Sequence, residues 1–179
     1  MIGEYSSQPT VLHPYHPPCL PAGRHKGGRD ERVAEESMND KKFETYGNCF
    51  VCGENNAGGL RLRFDINKEK QILQTTFFPQ PVYQGYDGVV HGGIISTLLD
   101  EAMAKLSYEL GYDAVTASLE VRFKKPALIL EPLKIFGEIA EVNQRLVRAK
   151  AKITKEDGTV LATGTSTLLR QHPGSRRPF

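Results

Sequence analysis

The chain has 179 residues, of which 39% are hydrophobic and 25% charged, and its formal net charge is +2. This composition is typical of one globular domain with some additional length, and the near-neutral charge does not indicate binding to nucleic acid or to an anionic membrane surface. We find no long apolar run and no basic N-terminal segment followed by an apolar core, so we expect neither a transmembrane helix nor a signal peptide. The three cysteines favour a reducing, cytoplasmic location over a disulfide framework.

Residues 1–40 differ in composition from the rest of the chain. They contain five of the 11 prolines and three of the five histidines, together with a charged run. Their apolar surface is too small to offset the entropy of ordering, and they are predicted to form a disordered tail. Residues 41–170 are then the folded domain, and residues 171–179 are a basic C-terminal tail.

A Cys-x-x-Cys pair, Cys49 and Cys52, lies in a stretch rich in glycine and asparagine. Such a pair is half of a zinc site or a redox pair. A thioredoxin-like pair would open a helix, whereas this stretch has the composition of a loop. A zinc site needs two more ligands, for which His91 and a second subunit are the candidates. Structural packing is the preferred interpretation, metal or redox chemistry is the alternative, and we expect no metal or other cofactor.

Two strands are predicted before residue 80. Residues 60–66 alternate strictly between apolar and charged side chains, which indicates a half-buried strand. Residues 71–78 are rich in strand-forming residues, and Pro79 ends them.

A glycine-rich segment, residues 85–93, leads into the most apolar helical pattern of the chain. Apolar residues from Ile94 to Leu110 follow the i, i+3, i+4 spacing of a helix that ends at Gly111. At about 1.5 Å per residue the helix is roughly 27–30 Å long, enough to cross a small sheet. A second row of small side chains faces away from the apolar stripe and is either solvated or allows another element to approach closely. Its members are Ser96, Asp100, Ala104 and Ser107.

Four strand-like segments follow the helix, at residues 116–124, 133–142, 146–154 and 159–169. In the first of them the alternation points Ala117, Leu119, Val121 and Phe123 inward. The short connections between the segments, including an Asp-Gly hairpin turn at 157–158, require antiparallel pairing. The predicted fold class is therefore α+β, with one long helix against an antiparallel sheet.

The start of the helix can bind an anion or a developing oxyanion. The first N–H groups of a helix have no internal partner and carry partial positive charge, and Gly92 allows a ligand to approach the backbone. Asp100 can act as a base or a nucleophile, but it lies about 12 Å along the helix from Gly92. Two antiparallel copies would pair Gly92 of one chain with Asp100 of the other, which favours a two-fold dimer. The plainer interpretations are a tight strand-to-helix turn and an exposed helix charge like Glu101.

These residues resemble those of hotdog-fold acyl-CoA thioesterases of the PaaI-like, phenylacetate-pathway type. The resemblance covers roughly residues 47–170. It implies a long central helix wrapped by an antiparallel sheet, assembly into a dimer or a dimer of dimers, and hydrolysis of an acyl-CoA thioester to a free acid and CoA. It depends on three motifs: Cys-Phe-Val-Cys-Gly at 49–53 with Gly59-Leu60, Gly88-x-x-His91-Gly92-Gly93 with Leu98 and Asp100, and residues 116–126.

The resemblance also implies roles for individual residues. The Gly92 N–H would bind the thioester carbonyl, and Asp100 of the partner subunit would activate water or attack the thioester itself. Thr116 and Ser118 both match versions of the family's hydroxyl position, and His91 would be structural or contact the carbonyl.

Substrate contacts follow from the same resemblance. Gly93 would lie beside the carbonyl, and Gly85 stands where many members have an asparagine. The loss of that polar contact leaves a non-catalytic acyl-CoA-binding protein as the alternative function. Basic side chains that could meet the CoA phosphates are Arg122, Lys124, Lys125, Arg145 and Arg148. The preferred interpretation of each is a solvated strand charge.

Overall fold

The computed structural model describes residues 46–171 of the chain. The predicted tail at residues 1–40, residues 41–45 of the predicted domain, and all of the predicted 171–179 tail except its first residue lie outside this range. One long helix and six strands form within it, in the predicted order of two strands, a helix and four strands. They are β1 (Asp65–Asn67), β2 (Ile72–Phe77), α1 (Gly92–Glu109), β3 (Ala114–Phe123), β4 (Leu133–Val142), β5 (Leu146–Thr154) and β6 (Val160–Arg170).

The six strands make one sheet in the spatial order β1-β2-β4-β5-β6-β3. Every neighbouring pair is antiparallel. Helix α1, which connects β2 to β3 in the chain, packs on this sheet against β2, β3, β4, β5 and β6. The predicted α+β class, with one long helix against an antiparallel sheet, is confirmed. No helix within residues 46–171 is long and apolar enough to cross a membrane.

The apolar stripe of α1 forms the centre of the core. Its members Leu98, Leu99, Met103 and Leu106 are almost completely buried. The helix ends where predicted, since Leu110 caps it and Gly111 takes a positive φ of 79°. The predicted small-residue row is not a solvated face along its whole length: Ser107 is fully buried, and its hydroxyl donates to the Tyr112 carbonyl.

Two glycines of the sheet allow α1 to lie close to the strands. A β-carbon added to Gly137 of β4 would lie 3.1 Å from the backbone oxygen of Ala102. One added to Gly164 of β6 would lie 3.3 Å from the Leu99 side chain. Because the contact at Gly137 is with helix backbone, it cannot be relieved by a side-chain rotation.

The strand predicted at residues 60–66 is wrong over most of its length. Only Asp65 and the residues after it join the sheet, and Arg61 has a positive φ of 53°. The backbone of this segment bonds instead to the cysteine loop, since the N–H groups of Leu60 and Leu62 donate to the carbonyls of Phe50 and Val51 at 2.8 Å. The alternation of burial persists, with Leu62 in the core, but it arises from loop packing.

The inward orientation predicted for β3 is also only partly right. The register of β3 against β6 shifts between Thr116 and Ser118, and a bulge of this kind leaves one residue unpaired. Ala117 is consequently exposed, whereas Leu119 and Val121 are partly buried against the core. Phe123 is 58% exposed, because it lies at the end of the strand, beside the start of α1.

The close approach of α1 predicts that Gly137→Ala destabilises the protein. The added methyl group would press on the Ala102 carbonyl and force the helix away from β4, which costs about 1–3 kcal/mol in overpacked cores. The free energy of unfolding, measured by denaturant titration, should fall by that amount. The matched control is Gly58→Ala, since the nearest atom to a β-carbon there is 3.8 Å away; equal stability of the two variants would contradict the close packing.

Candidate active site

The His91 side chain caps the start of α1. Its Nδ1 accepts a hydrogen bond from the Gly93 N–H at 2.9 Å, and its backbone N–H donates to the Tyr83 carbonyl at 2.8 Å. The His91 carbonyl accepts from the N–H groups of Ile94 and Ile95. With Nδ1 engaged as an acceptor, this ring holds the first turn of the helix in place.

The Gly92 N–H is the donor that remains available at the helix start. It has no acceptor within residues 46–171, whereas the neighbouring Gly93 N–H is taken by His91. Gly92 is exposed, and the partial positive charge of the helix N-terminus adds to the attraction for an oxygen that carries negative charge. The helix start therefore offers one aligned donor to a ligand.

A cleft of about 370 Å³ opens beside Gly92, and we call it the entrance cleft. Its walls are mostly apolar and include Val90, Ile95 and Leu161. The half-exposed Phe123 ring lies next to Gly92, 3.5 Å from the position of an added β-carbon. Lys124 and Lys125 also line the cleft. An apolar group and an anionic group could thus be held next to the free N–H.

The remaining predicted substrate contacts are divided between the cleft and the outer surface. Gly85 lies against His91, since a β-carbon there would be 3.1 Å from the imidazole ring. Arg122 pairs with Glu120 and Arg148 with Glu141, both at 2.9 Å and both exposed. Neither of these arginines lines the entrance cleft, nor does Arg145. The structure thus brings Lys124 and Lys125, but not the three arginines, to Gly92.

Asp100 lies two turns further along α1 and is bonded to β3. The Thr116 hydroxyl donates to the Asp100 carboxylate at 2.8 Å. Ser118 lies beyond the bulge and borders a different, outer cleft together with Arg148 and Lys150. Of the two hydroxyls that the sequence left as alternatives, the structure therefore brings Thr116 to Asp100.

A second cluster joins the cysteine loop to α1. The Sγ atoms of Cys49 and Cys52 and a carboxylate oxygen of Glu101 all lie within 4.8 Å of one another. His91, the ligand considered from the sequence, is not a member of the cluster. Glu101 is partly buried and is not the exposed helix charge that the sequence suggested. No local sequence pattern indicates this contact, because Cys49 and Glu101 are 52 positions apart.

The surroundings of this cluster disfavour negative charge. Burial raises the pKa of the Cys52 thiol far above its usual range, and the hydrogen bond to Glu101 adds to the effect. Burial likewise raises the pKa of Glu101, although the thiol hydrogen bonds and the nearby Lys105 partly counteract it. Two thiols and one carboxyl group thus share a partly desolvated space.

Part of the chain is similar in sequence to known proteins. Residues 87–162 match the model of a family described as the thioesterase superfamily. Among curated proteins, the acyl-coenzyme A thioesterase THEM4 of Xenopus laevis is 28% identical over 102 residues, which are 57% of this chain and 46% of the relative. The chain spans less than half the length of this relative.

Solved structures agree on the fold. A thioesterase superfamily protein aligns with a TM-score of 0.64 and 26% identity, covering 68% of this chain and 60% of the other. A hypothetical thioesterase protein of Streptococcus pneumoniae, solved with coenzyme A, aligns with a TM-score of 0.59 and 22% identity, covering 64% of this chain and 88% of the other.

Proposed function

Because residues 87–162 match the thioesterase superfamily and the chain has the hotdog fold, we propose that this protein hydrolyses acyl-CoA thioesters to a free acid and CoA. The observation that carries the proposal is the unoccupied Gly92 N–H, which points from the start of α1 at the edge of an apolar cleft. The name of the Xenopus laevis relative, an acyl-coenzyme A thioesterase, and the coenzyme A of the Streptococcus pneumoniae structure support the same substrate class.

In the proposed reaction the thioester carbonyl oxygen accepts a hydrogen bond from the Gly92 N–H, which stabilises the negative charge that develops on it. Asp100 takes a proton from water, and the water oxygen forms a bond to the carbonyl carbon. The carbon–sulfur bond then breaks, and the thiolate of CoA leaves and is protonated. Direct attack by the Asp100 carboxylate, followed by hydrolysis of the anhydride, gives the same products. Thr116 holds the carboxylate in place in either route.

The proposed site takes its two halves from two copies of the chain. Gly92 and Asp100 lie about 12 Å apart along one helix, too far for both to reach one carbonyl carbon. Strand β3 is the last strand of the sheet, ten residues long, and pairs only with β6 among residues 46–171. A long uncovered edge is a template for another strand. Antiparallel pairing of two β3 strands would continue the sheet and set two α1 helices side by side in opposite directions.

The entrance cleft suggests how the substrate lies. Its apolar walls suit the acyl chain, and Lys124 and Lys125 suit phosphate groups of CoA.

The cysteines of the described region are free thiols, in keeping with the proposed cytoplasmic location.

A second candidate function is the binding of acyl-CoA without cleavage. It is favoured by Gly85, which offers no polar side chain beside His91, whereas many members of this family have asparagine there. Release of free CoA from a panel of acyl-CoA thioesters separates the two functions, since a binding protein would release none.

The free N–H predicts a selective effect of Gly92→Pro. Proline is well tolerated at the first position of a helix, and the extended backbone of His91, with ψ of 135°, is suited to precede it. The substitution replaces the N–H hydrogen with a ring carbon. We expect kcat to fall about 10²–10³-fold, the usual cost of losing one such donor, with an unchanged melting temperature. Gly92→Ala keeps the N–H and is the control. Equal activity of the two variants would refute the role of this donor.

Shared sites predict recovery of activity in mixed dimers. Asp100→Asn and Gly92→Pro should each be almost inactive as homodimers. A mixed dimer has one site with both substitutions and one intact site, so an equal mixture should regain about a quarter of wild-type activity. A mixture of Asp100→Asn and Asp100→Ala is the control and should regain none. No recovery in dimers shown by mass spectrometry to be mixed would place both residues in a single-chain site.

The hydrogen bond to Asp100 predicts different effects at the two candidate hydroxyls. Thr116→Val keeps the side-chain shape and removes the donor to a carboxylate, and the loss of such a bond costs about 1.5–3 kcal/mol. We expect a fall in kcat of about 10- to 100-fold with little change in KM. Ser118→Ala should change kcat by less than about threefold. The opposite order in steady-state kinetics would transfer the role from Thr116 to Ser118.

A further inference from the structure

We propose that Cys49, Cys52 and Glu101 form a binding site for a divalent cation of the zinc class, which fastens the cysteine loop to helix α1. The site is separate from the proposed hydrolysis, which involves other atoms and needs no metal.

The three ligand atoms have the spacing that a tetrahedral ion requires. Zinc binds sulfur at about 2.3 Å and carboxylate oxygen at about 2.0–2.2 Å, so its ligands lie about 3.5–3.8 Å from one another. The Cys49 Sγ lies 3.8 Å from both carboxylate oxygens of Glu101, and all three groups lie within 4.8 Å. An ion would therefore fit among them after shifts of less than about 1 Å.

The loop holds the Cys49 sulfur in place before any ion binds. The Val51 N–H donates to the Cys49 Sγ at 3.3 Å, and a backbone donor of this kind stabilises and orients a metal-bound thiolate. The Gly53 N–H closes the turn on the Cys49 carbonyl at 3.0 Å. Any β-carbon at Gly53 would lie 2.5 Å from the Cys49 backbone, so the tight turn between the cysteines requires glycine there.

As a packing contact alone, the cluster offers the Glu101 carboxylate only weak donors. The partly buried carboxylate of Glu101 lies against the thiols of Cys49 and Cys52, and thiols are weak hydrogen-bond donors. Lys105, about one turn further along α1, also attracts the Glu101 carboxylate, but its ion pair is with Glu109 at 2.7 Å. A bound dication would supply the positive charge that three anionic ligands require.

The donor set selects the class of ion. Two thiolates and one carboxylate suit zinc and its borderline neighbours, whereas magnesium and calcium require oxygen ligands throughout. Cys52 also lines an open cleft of about 520 Å³. This cleft gives the ion a path to the site and leaves room for water as the fourth ligand.

The test uses the full chain, purified under reducing conditions, stripped with a chelator and reloaded with zinc alone. We expect about one zinc per chain by elemental mass spectrometry, a higher melting temperature with zinc but not with magnesium, and a thiolate-to-metal charge-transfer band when cobalt replaces zinc. Cys49→Ser should abolish the charge-transfer band or reduce it strongly. Glu101→Gln, which keeps the shape of the side chain, should weaken zinc binding about tenfold or more.

Cys19→Ser is the matched control, because it removes the remaining cysteine of the chain and should leave the zinc content unchanged. If Cys49→Ser does not fold, the zinc affinity of Glu101→Gln and the chelator titration of the wild-type chain test the proposal instead. The proposal is overturned if the wild-type chain retains no zinc, if Cys49→Ser binds zinc as the wild type does, or if Glu101→Gln leaves the affinity unchanged.

Discussion

The close contact between α1 and the sheet determines the position of the functional groups that the helix carries: Gly92, Asp100 and Glu101. The helix lies so near β4 that Gly137 meets the backbone of Ala102, and Gly164 leaves space for Leu99 in the same way. With fully buried side chains along the same stripe, the helix has little freedom to rotate or slide, because packed interiors resist such shifts. The outward-facing residues of α1 consequently point in fixed directions.

Those directions separate two acidic residues that are neighbours in sequence. Successive residues of a helix are displaced by about 100° around its axis, so Asp100 reaches Thr116 on β3 whereas Glu101 reaches the cysteine loop. A rotation of the helix sufficient to disrupt one contact would disturb the other. An ion at Cys49, Cys52 and Glu101 would therefore also limit the motion of the Asp100 carboxylate, although it makes no contact with the proposed reaction.

Local pattern was sufficient to predict the helix and five of the strands, because periods of 3.6 and 2 are properties of short segments. It failed where a second segment decides the outcome. Residues 60–64 alternate like a strand, but their backbone bonds to the cysteine loop. Ala117 turns outward because β3 has one more residue than β6 opposite it. The burial of Glu101 depends on Cys49, 52 positions away, and no pattern near either residue indicates it.

The position of Asp100 relative to the edge of the sheet explains why a partner subunit completes the proposed site. Thr116, which holds the carboxylate, belongs to β3, and β3 is the edge strand at which a second copy would pair. Whatever joins that edge comes to lie beside Asp100. In an antiparallel arrangement the neighbouring helix would run in the opposite direction. Its first residue, Gly92, would then lie near Asp100, together with the free N–H and the entrance cleft. In the proposed dimer each chain would thus contribute a donor at one end of its helix and a carboxylate two turns away, and the separation that prevents a site within one chain would allow two sites in a pair.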